Sequence, residues 1–262
     1  MRLQLLHTAL RTYMRRSLLS FIVLLLFLST CGCGIREARM KEASYHYQMG
    51  LSYLGENNPT GALIELTEAE KLTPDDPELL NYLGMAYYRK NRYDIAEQKY
   101  LRALELRPNY SEARNNLGVN YLEMKRWNDA VAVLKQVTDD LFYKDQVSAT
   151  INLGLAYFGK GDMATALSIF RSVVGSNPRD PRARLHLGKV YQAQDRLDLA
   201  IEEYRKATEY YKDYAMAWYQ LGIAYLEKQE KADSRLAFRE VLRVAPDSEI
   251  GQLAREHLDM LK

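Results

Sequence analysis

The sequence predicts an all-α chain, a right-handed α-solenoid of six helical hairpins with a C-terminal capping helix, and three periodicities carry that expectation. A glycine recurs at 50, 84, 118, 154, 188 and 222, at intervals of 34, 34, 36, 34 and 34 residues, the length of one helix-turn-helix unit. Three residues after each stands a tyrosine: Tyr53, Tyr87, Tyr121, Tyr157, Tyr191 and Tyr225. Twelve residues after each stands Ala62, Ala96, Ala130, Ala166 or Ala200, with Ser234 in the last copy. A glycine inside a helix costs about 1 kcal/mol relative to alanine. Six at equivalent places therefore require a compensating gain, and close crossing of two helices supplies one.

Composition sets the outer bounds. The 262 residues are 47% hydrophobic and 27% charged, enough apolar material for a continuous core. The net charge of +2 is uneven: the first 32 residues hold Arg2, Arg11, Arg15 and Arg16 and no acid, which leaves the remainder at −2. That balance excludes nucleic acid as the expected partner, since phosphate neutralisation needs clustered Lys and Arg. Cys31 and Cys33 are the two cysteines, and the four histidines are scattered at 7, 46, 186 and 257. The inventory cannot build a Cys/His zinc site.

Residues 1–32 read as an export signal, with a basic start, an apolar run and small residues before a cysteine. The run from Ser17 to Leu28 is 12 residues, about 18 Å of helix against a hydrocarbon core of about 30 Å. It is too short to span comfortably. Met14 alone begins a well-proportioned signal and stands as an alternative start. Ser29-Thr30-Cys31-Gly32-Cys33 resembles the bacterial lipobox, and the resemblance implies a lipoprotein signal peptide with Cys33 acylated as the first mature residue. Gly32 before it favours Cys33, with Cys31 as the alternative. Several acyl chains, at about 0.8 kcal/mol per buried CH₂, hold a protein stably on a bilayer. Among lipoproteins an Asp after the cysteine marks inner-membrane retention; Gly34 and Ile35 stand there instead, so the outer membrane is expected. Residues 33–42 form a lipid-anchored tether, of which 38–42 can extend the first helix.

The repeats are read as 43–76, 77–110, 111–146, 147–180, 181–214 and 215–248. Sixteen residues after the glycines come Leu66, Tyr100, Leu134, Phe170, Tyr204 and Phe238, and nineteen after come Ala69, Ala103, Val137, Val173, Ala207 and Val241. Twenty-four after come Pro74, Pro108, Pro178 and Pro246, replaced by Phe142 and Lys212 in copies three and five. These residues resemble the tetratricopeptide repeat (TPR) family over 43–248. The glycine and alanine let the helices of a hairpin approach, the large residues fill the space beside them, and proline closes the second helix. The two extra residues of copy three fall in 138–146, TDDLFYKDQ, which should present Phe142 and Tyr143 differently from the other connections. Residues 249–262 form the cap, with Ile250, Leu253, Ala254, Leu258 and Leu261 as its apolar stripe.

No catalytic set is assembled, so an enzyme is not expected, and neither is any cofactor or metal beyond a covalent lipid. Gly159-Lys160-Gly161-Asp162 lacks the ending of a phosphate loop and reads as the turn between two helices. His46 and His186 have no ligand partner at suitable spacing and read as surface or packing residues. The TPR resemblance implies that the inner helices line a concave face, with the places one and four residues after each glycine turned toward it. Leu51, Leu54, Met85, Tyr88, Val119, Leu122, Leu155 and Phe158 would then form an apolar partner-binding groove, broken by Lys189 and Gln192 in copy five. The Lys and Asn pair with which some TPR proteins grip a C-terminal carboxylate is absent: its places hold Tyr47 with Leu51, then Asn81 with Met85.

An exported lipoprotein built almost wholly of six such repeats is similar to the type IV pilus biogenesis/stability family, the secretin pilotins, whose middle segment has a stretch like the one before Asn152-Leu153-Gly154. The resemblance implies a scaffold, monomeric before it meets its partner, that binds secretin subunits and assists their outer-membrane localisation and multimerisation. The alternative is an envelope scaffold for polysaccharide export, outer-membrane protein assembly or recruitment of a peptidoglycan enzyme.

Overall fold

The computed structural model of the chain describes residues 36–262. The expected signal peptide, the alternative start at Met14, and Cys31 and Cys33 lie outside the described residues. Among those residues the regular elements are all helices. They belong to two compact units, divided between Arg107 and Pro108. The first holds α1 (36–55), α2 (Pro59–Leu72), α3 (Pro77–Arg89) and α4 (Tyr93–Leu106). The second holds α5 (Ser111–Glu123), α6 (Trp127–Thr138), α7 (Gln146–Lys160), α8 (Met163–Ser176), α9 (Pro181–Ala193), α10 (Leu197–Tyr210), α11 (Ala215–Glu227), α12 (Lys231–Val244) and α13 (Glu249–Met260).

Local chemistry fixes where the helices begin. Asp76 caps α3 and Asp180 caps α9, each through one carboxylate oxygen that accepts from two backbone N–H groups, and proline follows at the first helical position. Proline loses nothing there, because that N–H has no partner within the helix. Each hairpin turn is closed by one residue in the left-handed region: Asn57, Asn91, Lys125, Gly161, Asp195 and Gln229, with φ of 57, 57, 55, 87, 59 and 64°. The N–H one residue beyond it donates back to the tyrosine that follows the repeat glycine, for example Arg92 to Tyr87 at 2.9 Å and Glu230 to Tyr225 at 2.8 Å. This is the Schellman arrangement, which satisfies carbonyls the helix leaves open. The turn expected over 159–162 is narrower than the sequence suggested. Gly159 and Lys160 are still helical, and Gly161 and Asp162 make the turn.

The core explains the glycines. A Cβ on Gly50, Gly118, Gly154, Gly188 or Gly222 would stand 2.5–2.7 Å from the side chain of Leu66, Leu134, Phe170, Tyr204 or Phe238, and one on Gly84 would collide with Tyr100. Every repeat glycine thus faces the large residue sixteen positions on, across its own hairpin. Those large residues and the alanines beside them are almost fully buried. Gly159 is a seventh case: the Trp127 ring of α6 lies where its Cβ would be.

Two boundaries differ from expectation. The described part of the tether, residues 36–42, is helical and runs into α1; it contains no Gly or Pro, Glu37 and Lys41 pair at 2.7 Å, and Arg39 donates to the Lys71 carbonyl at the end of α2. In α13, Ile250, Leu258 and Leu261 pack around buried Phe238, Val241 and Ala254, but Leu253 is 39% exposed. One step from Ala254 is a 100° rotation, enough to carry Leu253 off the packed stripe.

Candidate partner-binding site

In the first unit, Leu51 on α1 and Met85 and Tyr88 on α3 are half-buried. Leu51 leans on a core of Ala62, Leu66, Leu79 and Leu83 while keeping part of its surface open. Tyr88 contacts Tyr93 ring to ring at 5.5 Å. Leu54 is not part of this surface. It is 5% exposed and belongs to the core with Leu83 and Ala86 of α3; the equivalent Tyr88, Leu122 and Phe158 keep an open side, so the neighbouring hairpin and not the register covers Leu54. Arg89 then donates to its carbonyl at 2.5 Å.

In the second unit the first helices of successive hairpins pack on one another, α5 on α7, α7 on α9, α9 on α11, and α11 on α13. Val119, Leu122, Leu155 and Phe158 are all half-buried on α5 and α7, and Leu155 and Phe158 rest on the core that includes Ile151, Leu187 and Val190. Copy five is polar at the same places. Arg182 donates to Ser148 Oγ on α7 at 2.9 Å and pairs with Asp180 at 3.1 Å. Gln192 spends both ends of its amide, accepting from Tyr204 Oη at 2.7 Å and donating to Glu227 at 2.8 Å. Lys189 is half-buried, and burial holds its ammonium below the usual lysine range.

Each histidine considered from sequence has a partner within the protein. His46 pairs with Glu65 at 2.7 Å, and His186 stacks on Phe170 with ring centroids 5.5 Å apart. One feature was foreseen only in part, and two escaped sequence reasoning. Leu141 and Phe142 are 88% and 94% exposed, on a loop fixed by Asp140, whose carboxylate accepts from Ser111 and from the Phe142 N–H. Arg184 and Glu203 form a buried ion pair at 2.5 Å between α9 and α10. An open cleft of about 1180 Å³ among α10, α11 and α12 has an apolar floor of Ile201, Trp218 and Leu221. Its rim charges are largely answered internally, by Lys206–Glu202, Lys228–Asp198 and Arg243–Glu240. Only the exposed loop had a sequence signal, the two extra residues of copy three.

The repeat pattern of the tetratricopeptide repeat family matches residues 47–111, 115–181 and 185–249. The chain belongs to that family. Among curated relatives, this TPR chain is 29% identical over 183 residues to Superkiller complex protein 3 of Homo sapiens, spanning 66% of the chain but only 11% of that protein. It is 23% identical over 208 residues to the type IV pilus assembly protein PilF of Pseudomonas aeruginosa, covering 77% of this chain and 80% of PilF. The solved PilF structure superimposes with a TM-score of 0.65 at 20% identity, over 84% of this chain and 99% of PilF. PilW, described as a widely conserved type IV pilus biogenesis factor, gives a TM-score of 0.71 at 17% identity, over 81% of this chain and 98% of PilW. The TPR fold of the chain is thereby established, and TPR surfaces of this kind bind proteins.

Proposed function

We propose that this TPR chain is a periplasm-facing outer-membrane lipoprotein, anchored through Cys33 with Cys31 as the alternative, that binds secretin subunits of a type IV pilus and assists their localisation and multimerisation. The observation that carries the reading is the match to PilF, which runs through four fifths of that protein's length. A likeness between repeats alone covers a small share of a long relative, as with Superkiller complex protein 3. The half-buried apolar residues Leu51, Met85 and Tyr88 in the first unit, and Val119, Leu122, Leu155 and Phe158 in the second, supply surface for such a partner. Apolar side chains with one open side are what a peptide-binding face needs.

A panel of strains tests the proposal. Met85→Glu with Val119→Glu costs about 1 kcal/mol per site, as half-buried exchanges do, and leaves the protein folded. A carboxylate set against an apolar ligand is desolvated without a partner. The heat-resistant secretin multimer in the outer membrane should therefore fall to monomer, as in a deletion strain. Cys33→Ala should lose both fatty-acid labelling and the multimer, and Cys31→Ala should keep both. Intact multimers in the folded double variant would remove these residues from the mechanism, and intact multimers in the deletion strain would remove the secretin.

A further inference from the structure

The second unit carries a charge that the chain itself does not answer. Lys189 occupies the place one residue after the repeat glycine, where the other five copies have Leu51, Met85, Val119, Leu155 and Ile223. Burial is the only influence shifting its ionisation, and its direction is unfavourable to the ammonium. Among the described residues no acceptor reaches it. The nearby acids are engaged elsewhere: Asp180 caps α9 and holds Arg182, and Glu227 accepts from Gln192.

One turn earlier on the same helix face stands His186, whose Nδ1 is buried without a hydrogen-bond partner, and one turn before that stands Arg182. The spacing 182, 186, 189 is i, i+4, i+7, a single stripe of α9. Lys189 and Arg182 both bear on the His186 ring, disfavouring its protonation, so the three side chains share one neighbourhood. Such a stripe offers donors and positive charge and no carboxylate of its own beyond the occupied Asp180. Half-buried beside apolar side chains, the ammonium has given up part of its hydration without gaining a partner, a cost that the apolar residues of the other copies do not carry. A bound carboxylate would offset that cost.

We propose that the inner helices of the second unit take a partner segment of the pattern apolar–acidic–apolar, with a side-chain carboxylate on Lys189 Nζ beside Arg182. Its apolar residues lie on Leu155 and Phe158 to one side and on Ile223 and Leu226 to the other. The acid belongs within the segment and not at its end, because half-buried apolar residues continue on both sides of copy five, on α7 and on α11. Neighbouring inner helices stand about 10 Å apart, or about three residues of extended chain at 3.3 Å each. This specifies the partner chemistry of the scaffold reading and rests on the protein-binding part of it.

The probes are two end-capped heptapeptides, with glutamate or glutamine at the centre and serine, valine and leucine running outward on each side, titrated calorimetrically into the purified chain. The glutamate peptide should bind about tenfold more tightly, as a desolvated charge pair allows. Lys189→Met should abolish that preference while melting at or above the wild-type temperature, because the unanswered charge is gone. Arg182→Gln should reduce it. Equal binding of the two peptides, binding of neither, or a preference that survives in Lys189→Met would overturn the proposal. So would a stronger response to the glutamine peptide bearing a free C-terminal carboxylate, which would make copy five a receptor for chain ends. The peptides contain no secretin sequence, so loss of the secretin reading and loss of this one are separable.

Discussion

Leu66, Tyr100, Leu134, Phe170, Tyr204 and Phe238 each fill the space that a glycine leaves empty on the opposite helix of their hairpin, so at six places glycine and large residue act as one unit. Position 186 shows the same packing logic applied to a titratable group. His186 lies against Phe170, and burial first, then the positive Lys189 and Arg182, push its pKa down to about 3. An unfolded histidine titrates near 6.5, so between about pH 6.5 and pH 3 the unfolded chain binds a proton that the folded chain refuses. Stability contributed by this residue is therefore full above pH 6.5 and is lost as pH falls, at up to about 1.4 kcal/mol per unit. Asp140, Asp162 and Asp180 also have lowered pKa values, held down by the groups donating to them. Their contributions disappear only as pH falls below the ordinary aspartate range, near 3.9. Urea unfolding at pH 6.5 and pH 5 isolates the histidine. His186→Phe, which keeps the stack, should lose about 1–2 kcal/mol less than wild type across that interval; equal losses would show that the ring titrates normally.

The hairpin turn is the element in which local conformation and repeat identity part company. All six copies place one residue at positive φ, yet only Gly161 is suited to it without cost. Lys125 and Gln229 bear a Cβ in the left-handed region, a strain of about 1 kcal/mol that asparagine or aspartate partly relieves. Lys125→Gly and Gln229→Gly should each raise the unfolding free energy by about 0.5–1 kcal/mol, read as a higher urea midpoint with unchanged slope, and Gly161→Ala should lower it. No shared residue type marks this position, with Asn, Asn, Lys, Gly, Asp and Gln across the copies, so the turn was invisible to a search for identities. The glycine, tyrosine and alanine places were legible because each admits one side-chain size. Leu54 misled for the opposite reason: a period locates a residue on its helix, but what covers that face is set by the next hairpin, whose Leu83 and Ala86 close over it. Leu122 and Phe158, at the equivalent place, remain half-open. The exposure of Leu141 and Phe142 depends on where the Asp140 bonds aim the loop, and the two inserted residues revealed only that the loop departs from pattern.

Within each compact unit a hairpin leaves an apolar face that its neighbour must cover, so stability there is a sum over adjacent pairs and not one global core. The last such face, on α11 and α12, is covered by α13: Ile250, Leu258 and Leu261 pack, as Trp218 and Ile223 do, against buried Phe238, Val241 and Ala254. Ser248 fixes the start of that helix by accepting from the Gly251 N–H at 3.1 Å, and Gly251 fits because a Cβ there would strike the Pro246 carbonyl oxygen at 2.8 Å. Ending the chain at Ser248 would uncover these side chains, and burying one of their size is worth about 1.5–3 kcal/mol. The expected consequence is graded. Amide exchange in α11 and α12 should accelerate by more than a hundredfold, an opening free energy lowered by about 3 kcal/mol. Exchange in α1 to α4, which belong to the other compact unit, should stay within about twofold of the full chain. Restoring the helix with Ile250, Leu258 and Leu261 changed to Ala should reproduce most of the loss, since the effect lies in their packing. Uniform acceleration along the whole chain would instead mean that the hairpins unfold as one cooperative body, and the nearest-neighbour account would fail.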